Sequence, residues 1–294
     1  MELELREISK SFGEKNVLRE VSFAAKGGQA FGLLGRNGAG KTTTIRILMD
    51  VFPADGGSIL IDGKPIDYGK IKIGYLPEER GMYSKKKIID QLIYFAELKG
   101  MQRRAAIQSI GYWLERLNMA EHRDKRLDTL SKGNQQKIQL ITALAHDPEI
   151  VILDEPFSGL DPVNAMLLKE VVKEEIEKGK IVLFSSHQMH YIEEFCDSIA
   201  ILKDGKVALH GELSEIKHSY PRNKLVIRSA AADEILALPD LEGQKTGENE
   251  LMLALSSPEA KNQVMKMLAE RFDIDEMRVF EPSLGDIFVE YAGD

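Results

Sequence analysis

Gly35-Arg36-Asn37-Gly38-Ala39-Gly40-Lys41-Thr42 matches G-x-x-x-x-G-K-[ST] at every fixed position. The apolar run Ala30-Phe31-Gly32-Leu33-Leu34 precedes it and Thr43-Thr44-Ile45-Arg46-Ile47-Leu48-Met49 follows, so the stretch reads as strand, glycine loop, helix. Three glycines let the backbone turn its N–H groups inward, and the helix adds the positive end of its dipole; together they form an anion cradle. Lys41 supplies a mobile cation for the β and γ phosphates of a nucleotide, and the Thr42 hydroxyl is placed for Mg²⁺. The competing reading is a glycine-rich turn before an ordinary helix, and the legible strand and helix on either side weigh against it. The loop alone does not say which reaction the nucleotide drives.

Further along, Glu149-Ile150-Val151-Ile152-Leu153 runs into Asp154-Glu155-Pro156. A strand buried on both faces delivers its terminal carboxylates to the carboxyl edge of a parallel sheet, where ligands bind. Asp154 is placed to hold Mg²⁺, and Glu155 to reach an attacking water. Ile181-Val182-Leu183-Phe184 is a second such strand and ends at Ser185-Ser186-His187, which brings His187 to the same edge within reach of a γ-phosphate. His190, three residues on, lacks partners at metal-ligand spacing and reads as structural. Between the loop and these acids, Leu130-Ser131-Lys132-Gly133-Asn134 leads into an apolar helix, with Ser131 as N-cap; this helix start is a second anion-binding end. Upstream, Phe12 of Lys10-Ser11-Phe12-Gly13-Glu14 either caps the sheet core or stacks on a purine, and the phosphate loop downstream favours stacking.

The remaining elements fall around these points. Leu3 to Ile8 and Val21 to Ala24 are expected strands, as are Ser58 to Ile61 before the Asp62-Gly63 turn and Ile71 to Leu76 before Pro77-Glu78-Glu79. Apolar residues from Ile88 to about Met119 recur at helical spacing and mark a helical insertion, preceded by the solvated run Lys85-Lys86-Lys87. Ser158-Gly159-Leu160-Asp161 is a turn, and Pro162 starts a helix. Ser198 to Leu202 and Lys206 to Leu209 bracket the hairpin signal Asp204-Gly205. After Tyr220-Pro221-Arg222-Asn223 the pattern changes to strands at Leu225–Arg228, Lys245–Gly247, Leu251–Leu255 and Met277–Phe280, with helices at Pro258–Phe272 and Leu284–Tyr291: a small α+β module without a chemical motif.

Composition bounds the class. The chain has 294 residues, 43% hydrophobic and 29% charged, which suits a soluble globular protein of one large or two ordinary domains. No run approaches the roughly 18 apolar residues of a membrane span, and Met1-Glu2-Leu3-Glu4-Leu5 is not a signal peptide, so a cytoplasmic location is expected. The single cysteine, Cys196, reads as a small buried apolar residue. A net charge of −8 argues against a general nucleic-acid surface.

The order of phosphate loop, Leu-Ser-x-Gly helix start, apolar strand with Asp-Glu, Ser-Gly-Leu-Asp turn and strand-end His resembles the ATP-binding subunits of ABC transporters over about the first 215 residues. The closing Glu281-Pro282-Ser283-Leu284-x-Asp286-Ile287-Phe288 is similar to the C-terminal extension on ATPase subunits of sodium and drug exporters. The resemblance implies an α/β fold: a P-loop ABC ATPase with a RecA-like core, an antiparallel β subdomain and a helical insertion (about 85–145) within 1–220, then an α+β accessory domain at 221–294. It implies ATP and Mg²⁺ as cofactors, with Phe12 under the adenine, Gly35, Arg36, Asn37, Gly38, Ala39, Gly40, Lys41, Thr42 and Thr43 around the phosphates, and Thr42 with Asp154 on the metal. Glu155 matches the general base, His187 the residue that senses the γ-phosphate, and Asp161 a turn crossing a dimer interface. Ser131, Gly133 and Asn134 belong to the signature that closes over ATP held by a second subunit, identical or different. A membrane permease is the implied partner, with the chain peripheral on the inner face of the membrane.

Three positions in two motifs depart from the family pattern. Glu78 stands where glutamine is usual; it can still ligate Mg²⁺ but adds a negative charge beside Asp154. Lys132 and Asn134 replace the usual glycine and glutamine of the signature, as they do in the sodium and drug exporter branch. Rival readings are a soluble ABC ATPase acting on ribosomes or DNA and a P-loop kinase. The single ATPase unit and absent coiled coil count against the first, and the helix-start signature and strand-end His against the second.

Overall fold

The computed structural model describes every residue except 80, 240, 258, 259 and 294. It opens with an antiparallel hairpin, β1 (Glu2–Phe12) and β2 (Lys15–Lys26), whose Leu3, Leu5, Ile8 and Val21 point into the core. Both strands run well beyond the alternating stretches that announce them. Glu7 and Glu20 take positive φ of 52° and 57°, and the pairing shifts register between Leu5 and Ile8 and again before Lys10. Each shift is a bulge that inserts a residue and breaks the inside–outside alternation.

β3 (Ala30–Gly35) and α1 (Lys41–Leu48) flank the glycine loop as expected. β4 (Gly56–Ile61) pairs with β1, and β5 (Lys64–Pro65) folds back on it through Asp62-Gly63, giving an antiparallel sheet ordered β2-β1-β4-β5. β6 (Ile73–Leu76) leads to the helical insertion of α2 (Ile88–Leu98), α3 (Arg103–Arg116) and α4 (Lys132–Leu144). Lys99-Gly100 divides α2 from α3, with Gly100 at φ 85°. Then come β7 (Ile150–Asp154), α5 (Pro162–Glu177), β8 (Ile181–Ser185), α6 (Met189–Phe195) and the hairpin β9 (Ser198–Lys203) and β10 (Lys206–Glu212).

β10-β9-β3-β8-β7-β6 form a six-stranded sheet, parallel except for β10. β3, β7 and β8 are buried at every residue, because strands inside a parallel sheet have no solvated face. Leu33 lies opposite Ser185, and so does Asp154 through β7 and β8. β7 and β8 therefore finish level and β3 runs two residues further, so the glycine loop, Asp154-Glu155 and Ser186-His187 leave at one edge. The core beneath them includes Phe31, Leu33, Ile45, Ile152 and Leu183. Each such side chain contributes about 1.5–3 kcal/mol on burial, which holds the strand ends still while the loops carry charge. At the other end of the sheet β6 lies hard against α4: a Cβ on Gly74 would meet Ala143 O at 2.1 Å.

The chain divides into two compact units, Met1–Leu213 with Phe288–Asp294, and Ser214–Ile287. α7 (Leu213–Ser219) enters the second unit, where β11 (Lys224–Arg228), α8 (Ala232–Leu236), β12 (Glu242–Lys245), β13 (Glu250–Ala254), α9 (Lys261–Arg271), β14 (Glu276–Val279) and the start of α10 (Leu284–Ala292) follow. Its antiparallel sheet is ordered β12-β13-β11-β14 over a core of Leu225, Ile227, Ile235, Leu251, Leu253 and Leu268. α7 and α8 are not announced by the sequence pattern. The strand expected at Lys245–Gly247 lies earlier, because Thr246 and Gly247 donate their N–H groups to Glu250 O and form the turn into β13. The helix expected from Pro258 begins at Lys261, with positions 258 and 259 outside the described residues. Among the described residues no helix is long and apolar enough to cross a membrane.

Candidate active site

The glycine loop is shaped by residues that a side chain would disrupt. Gly35 has φ 154° and Gly40 φ 112°, and a Cβ on Gly40 would lie 2.5 Å from Leu18 Cδ2, so the loop is seated directly on β2. Gly205 N donates to Ala39 O at 3.2 Å and ties the β9–β10 turn to the loop. α1 starts after Gly40 with no side-chain cap and no acid in its first turn, leaving N–H groups and the positive dipole end for an anion. Lys41 Nζ turns back and donates to Gly35 O at 2.5 Å and Arg36 O at 3.3 Å. Burial holds its pKa below the usual lysine value, against the pull of Asp154, Glu155 and Glu78. Thr42 is exposed, whereas Thr44 is buried with its hydroxyl bonded to Gly40 O.

Opposite the loop stand the two acids. Burial raises the pKa of Asp154, with Glu78 and Glu155 adding to the rise and hydrogen bonds from Ser185 and Tyr75 opposing it. The Tyr75 hydroxyl reaches Asp154 Oδ2 at 3.4 Å, and its own pKa is pushed up to about 12 by burial and then by Asp154. Glu155 has φ 51°, a left-handed backbone uncommon for glutamate. Its N–H donates to Ser185 O at 2.8 Å, and its carboxylate accepts from Ser186 Oγ at 2.9 Å and His187 N at 2.7 Å. His187 Nδ1 lies 2.6 Å from Glu155 Oε1, so Nδ1 carries the proton and donates to the acceptor-only carboxylate. The sequence brings His187 to this edge; its pairing with Glu155 depends on level strand ends that no spacing reveals.

Phe12 is half exposed rather than in the core, packed edge-on to Phe52 with ring centroids 5.5 Å apart. Lys10 Nζ lies 5.6 Å from the Phe12 ring and is anchored by Asp55 at 2.6 Å. Asp55 also accepts from Ser11 N at 2.7 Å, so the ring that would meet a base is braced from below.

Glu78 and Asp154 line a cleft of about 900 Å³ that Thr42, Tyr75, Lys99 and His146 also border. Val51 and Leu98, both exposed, give it an apolar rim. His146 is buried; its Nε2 meets Ile73 O at 3.2 Å, its Nδ1 has no hydrogen-bond partner among the described residues, and burial pushes its pKa down to about 4. Gln139 of α4 donates to Glu79 O at 3.4 Å, linking this helix to the loop after β6.

Ser131 caps α4, accepting from Asn134 N at 3.3 Å. What lies over Gly133 is the turn at Asp161: a Cβ there would stand 3.2 Å from Asn164 Nδ2. Asp161 caps α5, accepting from Asn164 N at 3.0 Å, with Pro162 as the first helical residue. The hydrogen bonds from Asn164 keep the Asp161 carboxyl below its ordinary range. His190 packs on Tyr191 with ring centroids 4.0 Å apart. Tyr75, Ser185, Ser186 and His146 are the site residues that sequence reasoning passed over; the paired serines ahead of His187 were the one available signal.

A level edge of parallel strands, an uncapped helix behind a glycine loop and two strand-end acids define a P-loop nucleotide-binding protein. Residues 18–158 match the family described as ABC transporter, and residues 211–292 match the C-terminal domain of DrrA1-3-like ATP-binding proteins. The chain is 44% identical over 295 residues to the ABC transporter ATP-binding protein YhaQ of Bacillus subtilis, covering 99% of this chain and 98% of that one. It belongs to the ABC transporter ATP-binding subunits, a family that binds and hydrolyses ATP. The linearmycin resistance ATP-binding protein LnrL of B. subtilis is 30% identical, covering 99% of this chain and 98% of LnrL. The Nod factor export ATP-binding protein I of Burkholderia orbicola is 31% identical over 71% of this chain and 70% of its own. A solved structure of the ATP-binding subunit of an ABC transporter superposes with a TM-score of 0.68 at 30% identity, covering 74% of this chain and 92% of the other.

Proposed function

We propose that this chain is the ATP-hydrolysing subunit of an exporter, held at the inner face of the membrane by a permease partner and paired with a second ATPase subunit when ATP is bound. The observation that carries the reading is Glu155, a buried carboxylate held by three hydrogen bonds at the strand edge that faces the glycine loop. A relative named for Nod factor export supports export as the direction.

The residues fit ATP with Mg²⁺. Lys41 is desolvated beside three carboxylates and turned toward the loop that would hold phosphates, and burial with the nearby acids raises the pKa of Asp154, a cost to its charge that a divalent cation would relieve. No group of three His, Cys, Asp or Glu side chains forms a ready-made metal cage among the described residues. That suits Mg²⁺, which usually takes one or two carboxylates and completes its shell with phosphates and water. Thr42 and Asp154 would hold the ion, with Glu78 beside them, and the ion when bound supplies neutralisation of charge developing on the phosphates. The loop N–H groups and Lys41 bind the phosphates, Phe12 supports the base, Glu155 takes the proton of the attacking water, and His187 orients Glu155. Positioning and electrostatics supply nearly all catalysis in such transfers. Ser131, Gly133 and Asn134 act on the nucleotide of the paired subunit. The cleft bordered by Glu78 and Asp154, with Val51 and Leu98 on its rim, gives a permease segment access to residues that feel the nucleotide.

Glu155→Gln keeps the size of the side chain and removes its basicity. ATP turnover should be abolished, ATP binding retained, and an ATP-bound dimer should accumulate on size exclusion. Turnover at the original rate would overturn the assignment of the base.

A further inference from the structure

We infer that Ser186 is a positioning residue for hydrolysis, its hydroxyl fixing which oxygen of Glu155 receives the proton of the attacking water. This rests on the reading of Glu155 as the base. Ser186 is the first residue beyond β8 and is 2% exposed. Gln188 N donates to Ser186 Oγ at 3.1 Å, which engages the hydroxyl as an acceptor, and the hydroxyl proton goes to Glu155 Oε2 at 2.9 Å. The direction of that hydrogen bond is set by the carboxylate, which can only accept. Glu155 Oε1 accepts from His187 N at 2.7 Å and faces His187 Nδ1 at 2.6 Å. A carboxylate oxygen offers about two lone-pair sites. Oε1 is filled, and Oε2, with one bond from Ser186, keeps a site open.

Oε2 is thus the oxygen free to act as base, and Ser186 sets its position. The terminal torsion of a glutamate is broad, so a carboxylate tethered through Oε1 alone would swing. The Ser186 bond supplies the second anchor. Because Glu155 N is bonded to Ser185 O, the base and its anchor are fixed to the same strand end and move together. A serine two residues before a donor N–H also fits a purely local role, in which its hydroxyl only braces the turn. The two roles differ in what the hydroxyl's loss disturbs: rate in one, stability alone in the other.

Steady-state ATP turnover, equilibrium ATP binding and thermal unfolding are to be measured for Ser186→Ala and Ser186→Thr, each alone and combined with Glu155→Gln. Loss of a hydrogen bond to a charged group should lower kcat about tenfold or more in Ser186→Ala, with KM for ATP and ATP affinity unchanged. Ser186→Thr, which keeps the hydroxyl, should retain most of the rate. Thermal unfolding of the double variant with Glu155→Gln should show less than additive loss, because the hydroxyl's partner is that carboxylate. Wild-type kcat in Ser186→Ala beside an inert Glu155→Gln overturns the role of Ser186 and leaves the base standing. Equal losses of kcat in Ser186→Ala and Ser186→Thr also overturn it, since the second keeps the hydroxyl. Normal turnover in Glu155→Gln overturns the base, and Ser186 with it.

Discussion

Gly74→Ala tests whether the edge strand β6 transmits packing to chemistry. A Cβ at Gly74 would stand 2.1 Å from Ala143 O, 3.1 Å from Ala143 C and 2.9 Å from Pro148 Cγ. Two of these atoms are backbone at the end of α4 and the third belongs to a proline ring, so none can swing aside. Ordinary contact requires the strand and helix to part by about 1.3 Å in an interior packed as densely as a crystal. Overpacking of this kind typically costs about 1–3 kcal/mol, or roughly 3–10 °C in melting temperature for a unit of this size. The displacement also has a direction. β6 carries Tyr75 toward Asp154 and ends two residues before Glu78, so its retreat disturbs the metal side of the site more than the phosphate side. The Mg²⁺ concentration needed for half-maximal turnover should rise several-fold, while ATP affinity changes less. Circular dichroism melts of the nucleotide-free protein and Mg²⁺ titrations of turnover measure both effects. A wild-type melt would show that the strand–helix contact yields freely, and a lowered melt with an unchanged Mg²⁺ titration would sever the link from β6 to the metal.

Other perturbations probe the charges. Because the folded pKa of Asp154 is raised, the folded state binds a proton that the unfolded state releases above the ordinary value of 3.8; stability declines as pH rises through that window, and the penalty is complete above the folded pKa. Asp154→Asn should therefore raise the melting temperature of the nucleotide-free protein at neutral pH while removing Mg²⁺-dependent nucleotide binding, and a lower melt would count against the burial argument. His146 runs the other way. Its pKa falls from 6.5 to about 4, so stability is intact above 6.5 and declines as pH drops toward 4, by about 3 kcal/mol. Denaturant midpoints at pH 7 and pH 5 should show that slope, and His146→Leu should flatten it.

Local chemistry was legible in the sequence where one segment carries the whole signal. Gly35 to Thr42, Asp154-Glu155 at the end of an apolar strand, and the Ser131 cap each combine residue type with immediate context, and all three lie where that context puts them. The hairpin of β1 and β2 was only partly legible, because the bulges at Glu7 and Glu20 shift the inward face by one residue and erase the alternation. α8 has five residues, too few to show a helical period. The shared edge was legible from the two apolar strands, but which side chains pair across it was not. The Glu155–His187 pair joins residues 32 positions apart, and the orphaned nitrogen of His146 is a matter of burial, which follows from the packing of α4 on β6.

The fold-back of Lys41 onto Gly35 O and Arg36 O has a kinetic consequence. The ammonium is held by two carbonyls of its own loop, and the loop itself is fixed by Gly205 N on Ala39 O and by the close approach of Gly40 to Leu18. ATP then meets a mould already cast, and entry requires the exchange of one flexible side chain's partners rather than the ordering of a segment. Association should accordingly be fast, with no slow phase from ordering of the loop.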